Sequence, residues 1–238
     1  MGVNAQIEVP AFTAGQVLTA AEMTQINTGI PVFATTVTRD AAFGGAGEKT
    51  LAQGQYAHIE ATNTLQVYTG SAWIAAGGGL AFIKEQVIGS AVSAITVTGA
   101  FSSTYDNYKI TVTGGVASVN NQMTMTLGST ATGYYSFQIY GGYGAATITG
   151  ANQSNTASWG GMAAGTTASI SADIDLQSPN LAKNTHMSAG YSQSDPGGSV
   201  NWIRGYVNNA TQYTAFTLTA STGTFTGGTI RVYGYQNS

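Results

Sequence analysis

The sequence predicts an all-β chain: a C-terminal antiparallel β-sandwich, jelly-roll-like, preceded by a short helix and a small β-meander. Three observations predict it. From residue 80 onward, apolar and polar residues alternate in segment after segment, which gives each strand one buried and one wet face. Gly, Asn, Ser and Thr cluster between those segments as turns. No helical crossover pattern lies between them, and parallel strands would need one.

The elements follow in chain order. Residues 1–17 are polar and apolar by turns, with one proline, Pro10, and are expected to form an extended arm. Thr19 and Glu22 make a capping box that opens a short helix to about Thr28. Met23, Ile26 and Ile30 fall at helical spacing and form its apolar stripe; Gly29 and Pro31 end it. So short a helix is marginal alone, so its stripe is expected to pack on a neighbour, either this chain's own β part or, as the favoured reading, copies of the same chain. Residues 1–34 therefore form an attachment segment.

Residues 35–79 hold the small β unit and its linker. Phe33 to Thr38 alternates weakly, and Arg39-Asp40 leads into the turn Gly44-Gly45-Ala46-Gly47. Tyr56 to Glu60 and Leu65 to Thr69 are two strands joined at Asn63; a third, Trp73-Ile74, follows the Gly70-Ser71 turn. Gly77-Gly78-Gly79 marks the boundary with the main domain, residues 80–238.

In that domain Ile95 and Val97 oppose Thr96 and Thr98, and Tyr108, Ile110 and Val112 oppose Lys109, Thr111 and Thr113. Met123, Met125 and Leu127 share a face, as do Tyr135, Phe137 and Ile139. Ile170, Ala172, Ile174 and Leu176 oppose Ser171, Asp173 and Asp175; Met187, Ala189 and Tyr191 repeat the pattern. Trp202 to Val207, Thr214 to Ala220 and Thr229 to Tyr235 complete the set. Alternate aromatics such as Tyr135 and Trp202 are expected in the core.

Composition narrows the function classes. Only 7% of the 238 residues are charged, against about 25% in ordinary soluble domains. A surface of Thr, Ser, Asn and Gly repels its own copies weakly, so sister subunits are expected to cover much of it. A net charge of −3 offers no basic face for nucleic acid. With no cysteine there are neither disulfides nor thiolate metal sites. No apolar run reaches membrane-spanning length, and no basic-then-apolar leader opens the chain, so neither membrane insertion nor ordinary secretion is expected.

Candidate sites are few. Asp173 and Asp175 share one strand face about 7 Å apart, a spacing compatible with a glycosidase pair but also with any polar strand face. His58 and His186 are the only histidines and lack ligand spacing, so no metal or cofactor is expected. Asp195-Pro196-Gly197-Gly198 carries one acid and is a turn. Gly141-Gly142-Tyr143-Gly144 and Gly160-Gly161 are expected to be loops. Beside them, Tyr143, Trp159 and Tyr191 are the candidate ligand-binding residues. Each either stacks on a sugar ring or a protein partner, or packs inward.

Two stretches carry a resemblance. FTAGQVLTAAEMTQINTGIPVFATTVTRDAAF with the later VYTGSAW is similar to N-terminal segments of minor tail and fibre proteins of tailed bacteriophages. GLAFIKEQVIGSAVSAITVTGAFSSTYDNYKITV with the terminal GTFTGGTIRVYGY resembles a β-rich module of phage structural proteins. The resemblance implies a virion protein, a tail fibre or tail-tip subunit that multimerises, with a homotrimer expected. It implies attachment to other virion proteins through the N-terminal segment and a host-facing C-terminal domain that meets a cell-surface glycan. A capsid fibre or decoration protein is the alternative, and a glycan-degrading enzyme using Asp173 and Asp175 is a third. No catalytic residue is carried over, and the expectation is a protein that is not an enzyme.

Overall fold

The computed structural model describes residues 14–19, 29–45, 49–77, 79–144 and 146–236. The chain divides into two compact units, Met1–Gly78 and Gly79–Ser238. The expected helix from Thr19 to Thr28, with Met23 and Ile26, lies outside the described residues after Thr19. Ile30 is described and exposed.

The first unit contains β1 (Val32–Phe33), α1 (Thr36–Ala41), β2 (Tyr56–Ile59), β3 (Thr64–Tyr68) and β4 (Trp73–Ala75). They form a four-stranded sheet in the order β1-β2-β3-β4, with β1 parallel to β2 and the rest antiparallel. The meander is as expected, and its Asn63 turn takes the left-handed conformation that Asn tolerates, with φ 49°. Two details differ. β1 joins this sheet, so the unit begins before residue 35. The weakly alternating stretch to Thr38 is a helix rather than a strand. Thr35 caps it: its hydroxyl accepts the Thr38 N–H, and the Thr38 hydroxyl accepts the Thr35 N–H. A threonine replaces the usual Glu or Gln of a capping box here, and three β-branched residues mimic a strand. Phe33, Ala42, Ala57 and Ile59 make the buried core of this unit.

Among the described residues the second unit holds fourteen strands. They are β5 (Leu80–Val87), β6 (Ala94–Val97), β7 (Asn107–Thr113), β8 (Val116–Ala117), β9 (Asn121–Leu127), β10 (Tyr134–Gly142) and β11 (Ile148–Thr156). Then come β12 (Trp159–Gly165), β13 (Ile170–Gln177), β14 (Thr185–Ser192), β15 (Ser199–Val207), β16 (Phe216–Ala220), β17 (Phe225–Thr226) and β18 (Thr229–Tyr235). Eight of them pair antiparallel in the order β11-β10-β15-β14-β13-β7-β18-β5. Four more form a smaller sheet, β12-β9-β16-β6. β13 switches between the two: Ile170 and Ser171 pair with β12, and Ala172 onward joins β7 and β14. Such a strand turns the corner of a sandwich. The short pair β17-β8 stands apart. The strands thus divide unequally, eight and four.

One core lies between the two sheets. It takes Tyr108, Ile110, Ile174, Leu176, Met187 and Ile203 from the large sheet and Met123, Met125, Leu127, Phe216 and Leu218 from the small one. The predicted alternation supplies those of β7, β9, β13 and β14, whereas in β15 Ile203 is inside and Trp202, expected in the core, is outside. Glycine clusters were expected as loops, but Gly141 and Gly142 end β10, while Gly160 and Gly161 lie inside β12. The register of β12 against β9 shifts between Trp159 and Ala163, so a bulge hides the alternation there.

Tyr134 ties the sheets together. Its hydroxyl accepts the Leu127 N–H at 2.7 Å and donates to the Thr130 carbonyl at 3.2 Å. Burial pushes its pKa up to about 12, against the smaller opposing effect of the Leu127 hydrogen bond. The unfolded phenol ionises first, near pH 10, while the folded one keeps its proton. The stability gained from this group is therefore complete below about pH 10 and is lost as pH rises toward about 12. Urea melts of the native chain across that window should show the fall, and Tyr134→Phe should show a shallower one.

Candidate functional site

The outer face of the eight-stranded sheet carries the chemistry. Register places Ile139, Trp202, Gly190, Asp173 and Thr111 side by side in one row across five strands. The next row is Phe137, Arg204, Ser188, Asp175 and Lys109. All point away from the core, because every one has the opposite parity to the buried residues of its strand. Trp202 is 62% exposed, Phe137 56% and Ile139 45%; Ile148 on β11 adds 80%.

A notch of about 350 Å³ opens in this face, lined by Ser171, Asp173, Ser188, Gly190, Ser192 and Trp202 among others. Gly190 forms its floor. A Cβ placed there would meet the Asn201 carbonyl at 3.1 Å and Trp202 Cδ1 at 3.8 Å, so the indole lies close over the glycine. Two strand spacings separate Trp202 from Asp173, about 10 Å between Cα atoms.

Asp173 and Asp175 form the opposite wall. Lys109 on β7 bridges them: its Nζ pairs with Asp173 and reaches Asp175 Oδ2 at 3.2 Å. Tyr235 donates its hydroxyl to Asp175 Oδ1 at 2.6 Å. Burial alone pushes the Lys109 pKa down, but its hydrogen bonds to both aspartates and their charges together outweigh it, so the ammonium titrates above its ordinary value. The bond to Asp175 likewise holds the Tyr235 proton more tightly than usual, with burial adding to it. The pair that sequence spacing singled out is thus anchored from below by a lysine two strands from β14.

The predicted ligand-binding residues fare differently. Trp159 is fully buried in β12, edge-to-face with Tyr134 at 4.9 Å, and cannot stack on a ligand in solvent. Tyr191 is 4% exposed, shares the core parity of Met187 and Ala189, and its hydroxyl accepts the Gln122 amide at 2.8 Å. Both corrections have one cause: these aromatics lie within strands, on the inward face. Tyr143 is exposed in the turn after β10, four residues beyond Ile139 and so roughly 13 Å along the strand. The structure does not bring it to the notch. The expected core aromatic Trp202 is instead the most prominent surface one in the notch, and Tyr135 is half-buried, stacked on Tyr206 at 5.2 Å.

Trp202 was legible. It shares parity with Arg204, whose charge fixes that face toward water. β10 carries no charge to mark its wet face, yet Tyr135, Phe137 and Ile139 turn outward and Tyr134 and Ser136 inward.

His58 pairs with Asn63 in the first unit, while His186 sits beside Tyr206 on the large sheet. Among the described residues, no three of His, Asp or Glu gather as a metal site, and no helix is long and apolar enough to cross a membrane. Asp195 to Gly198 is a turn closed by the Gly198 N–H on the Asp195 carbonyl at 2.9 Å. No protein-family profile matches the chain, and no curated protein matches it.

Proposed function

We propose that this chain is a structural protein of a tailed-bacteriophage virion, a tail-fibre or tail-tip subunit that adheres to the host surface through its C-terminal sandwich. The observation that carries this reading is the exposed aromatic and carboxylate face of the large sheet on a chain with only 7% charged residues. Solvent-facing Trp, Phe and Ile side by side, on strands whose other face already fills a core, mark a surface built to be covered. The resemblance of the N-terminal third to phage tail proteins supports the virion setting. Residues 1–34 seat the subunit on the particle, and copies close around an axis as a homotrimer.

The module works by adhesion rather than catalysis. Glycosidase carboxylates stand on opposite sides of the scissile bond. Asp173 and Asp175 lie on one strand, on one wall of the notch, sharing one lysine.

Antibodies raised against the chain test the setting. Immunogold on intact particles should label the tail. Label confined to the head would replace this reading with a capsid fibre or decoration protein, and no label on particles would overturn it.

A further inference from the structure

We infer that the notch between Trp202 and Asp173 binds a neutral hexopyranose unit of a glycan, an inference that rests on the adhesive reading above. Three features of the notch match three features of such a sugar.

The apolar wall comes first. The indole of Trp202 is 62% exposed and stands beside Ile139 in register. A pyranose has one face rich in C–H groups, slightly positive, and an aromatic face is its electrostatic and dispersive complement. Trp offers that surface with few rotatable bonds to immobilise.

The floor comes second. Gly190 has no side chain, and it sits directly between Trp202 and Asp173 in the pairing of β13, β14 and β15. Because Gly190 has no side chain, the indole lies low over it, Cδ1 3.8 Å from where a Cβ would stand, and its solvent-exposed face is open to a sugar ring whose edge reaches toward Asp173. A larger residue at Gly190 would meet the indole and lift it out of this position.

Hydroxyl recognition comes third. Tyr235 and Lys109 engage both oxygens of Asp175. Lys109 takes Asp173 through Oδ1, which leaves Oδ2 without a partner among the described residues, on a side chain 64% exposed. A carboxylate oxygen accepts sugar hydroxyls through charge-assisted bonds, stronger than those between neutral groups. The Ser188 and Ser192 hydroxyls on β14 add donors and acceptors along the same notch.

Charge sets the class. Two carboxylates share one ammonium on this wall, and Arg204 lies one row away, between Phe137 and Ser188. The four charges cancel formally, so the wall has no surplus cation to hold a uronate or sialate, whose carboxylate would meet the exposed Asp173, whereas a neutral sugar meets no such repulsion.

The test is affinity electrophoresis of the full chain in native gels containing dextran, mannan or galactan, with polygalacturonate as the acidic comparison. The native chain should be retarded by at least one neutral polysaccharide. Trp202→Ala and Gly190→Val should each weaken that retention at least tenfold, with Trp202→Phe largely restoring it. Trp202→Ala should keep the native urea midpoint, which separates lost binding from lost folding. No retardation in any neutral gel, retention strongest in polygalacturonate, or retention indifferent to Trp202→Ala would each overturn the assignment. Binding of labelled chain to host cells separates the two readings. If native chain and Trp202→Ala adhere equally, the notch is wrong and the adhesive reading stands; if native chain does not adhere, both fall.

Discussion

Replacing Trp159 by alanine should lower the unfolding free energy by about 3–5 kcal/mol. The side chain is fully buried, the largest such residue among the described residues. It meets Tyr134 edge-to-face at 4.9 Å and donates its indole N–H to the Tyr206 carbonyl at 3.3 Å. Tyr134 and Tyr206 belong to the large sheet and Trp159 to the small one, so this single ring joins the two layers. Alanine would leave a cavity that the stiff strands around it cannot close, and it would remove the partner of a carbonyl. Urea unfolding followed by circular dichroism measures the change. Trp202→Ala is the matched control: an exposed tryptophan on the same domain, with an expected change within about 0.5 kcal/mol. Equal costs for the two would contradict the assignment of one to the core and the other to the surface.

The second large effect is expected at Gly205, on β15. It faces Ser136 across the pair with β10. A Cβ there would collide with the Tyr135 carbonyl and come within 2.8 Å of Ser136 Cβ. Those neighbours are backbone and short side chain, which cannot swing away. Gly205→Ala should therefore cost about 3 kcal/mol, the upper part of the overpacking range. The damage should also be local. Since β10 connects β11 to the rest of the sheet, hydrogen exchange should rise in residues 134–156 before it rises in β7, β13 or β18. Uniform loss of protection, or none, would contradict the tight β10–β15 approach.

Much of the fold was legible because period-2 alternation survives wherever both faces of a strand have distinct partners. β7, β9, β13 and β14 were placed correctly for that reason, down to which residues are buried. Legibility failed in three physical circumstances. In β12, small residues and a bulge replace alternation, and the side chains of Gln153, Gln138 and Asn201 crowd the positions where a Cβ at Gly160 or Gly161 would stand; glycine then looks like a loop. In α1, β-branched residues and a Thr-Thr cap conceal a helix. In β10, the apolar parity is turned to water, against the rule that apolar faces point inward. Such a violation is expected where a surface is functional. The candidate site was half legible. Asp173 and Asp175 are visible as a same-face pair, but their wall partner Lys109 lies 64 residues earlier than Asp173 and only sheet order unites them. Gly190 as a floor cannot be read at all without the register of three strands.

The surface proposed to meet the host is the outer face of the eight-stranded sheet. Hydroxyl-radical footprinting of the full chain, with and without envelope fragments from the host bacterium, tests it directly. Oxidation of Trp202 and Phe137 should fall several-fold in the presence of envelope, while buried Trp159 stays unreactive in both samples. Unchanged oxidation of Trp202 and Phe137, with protection appearing on β6, β9 or β16 instead, would contradict it.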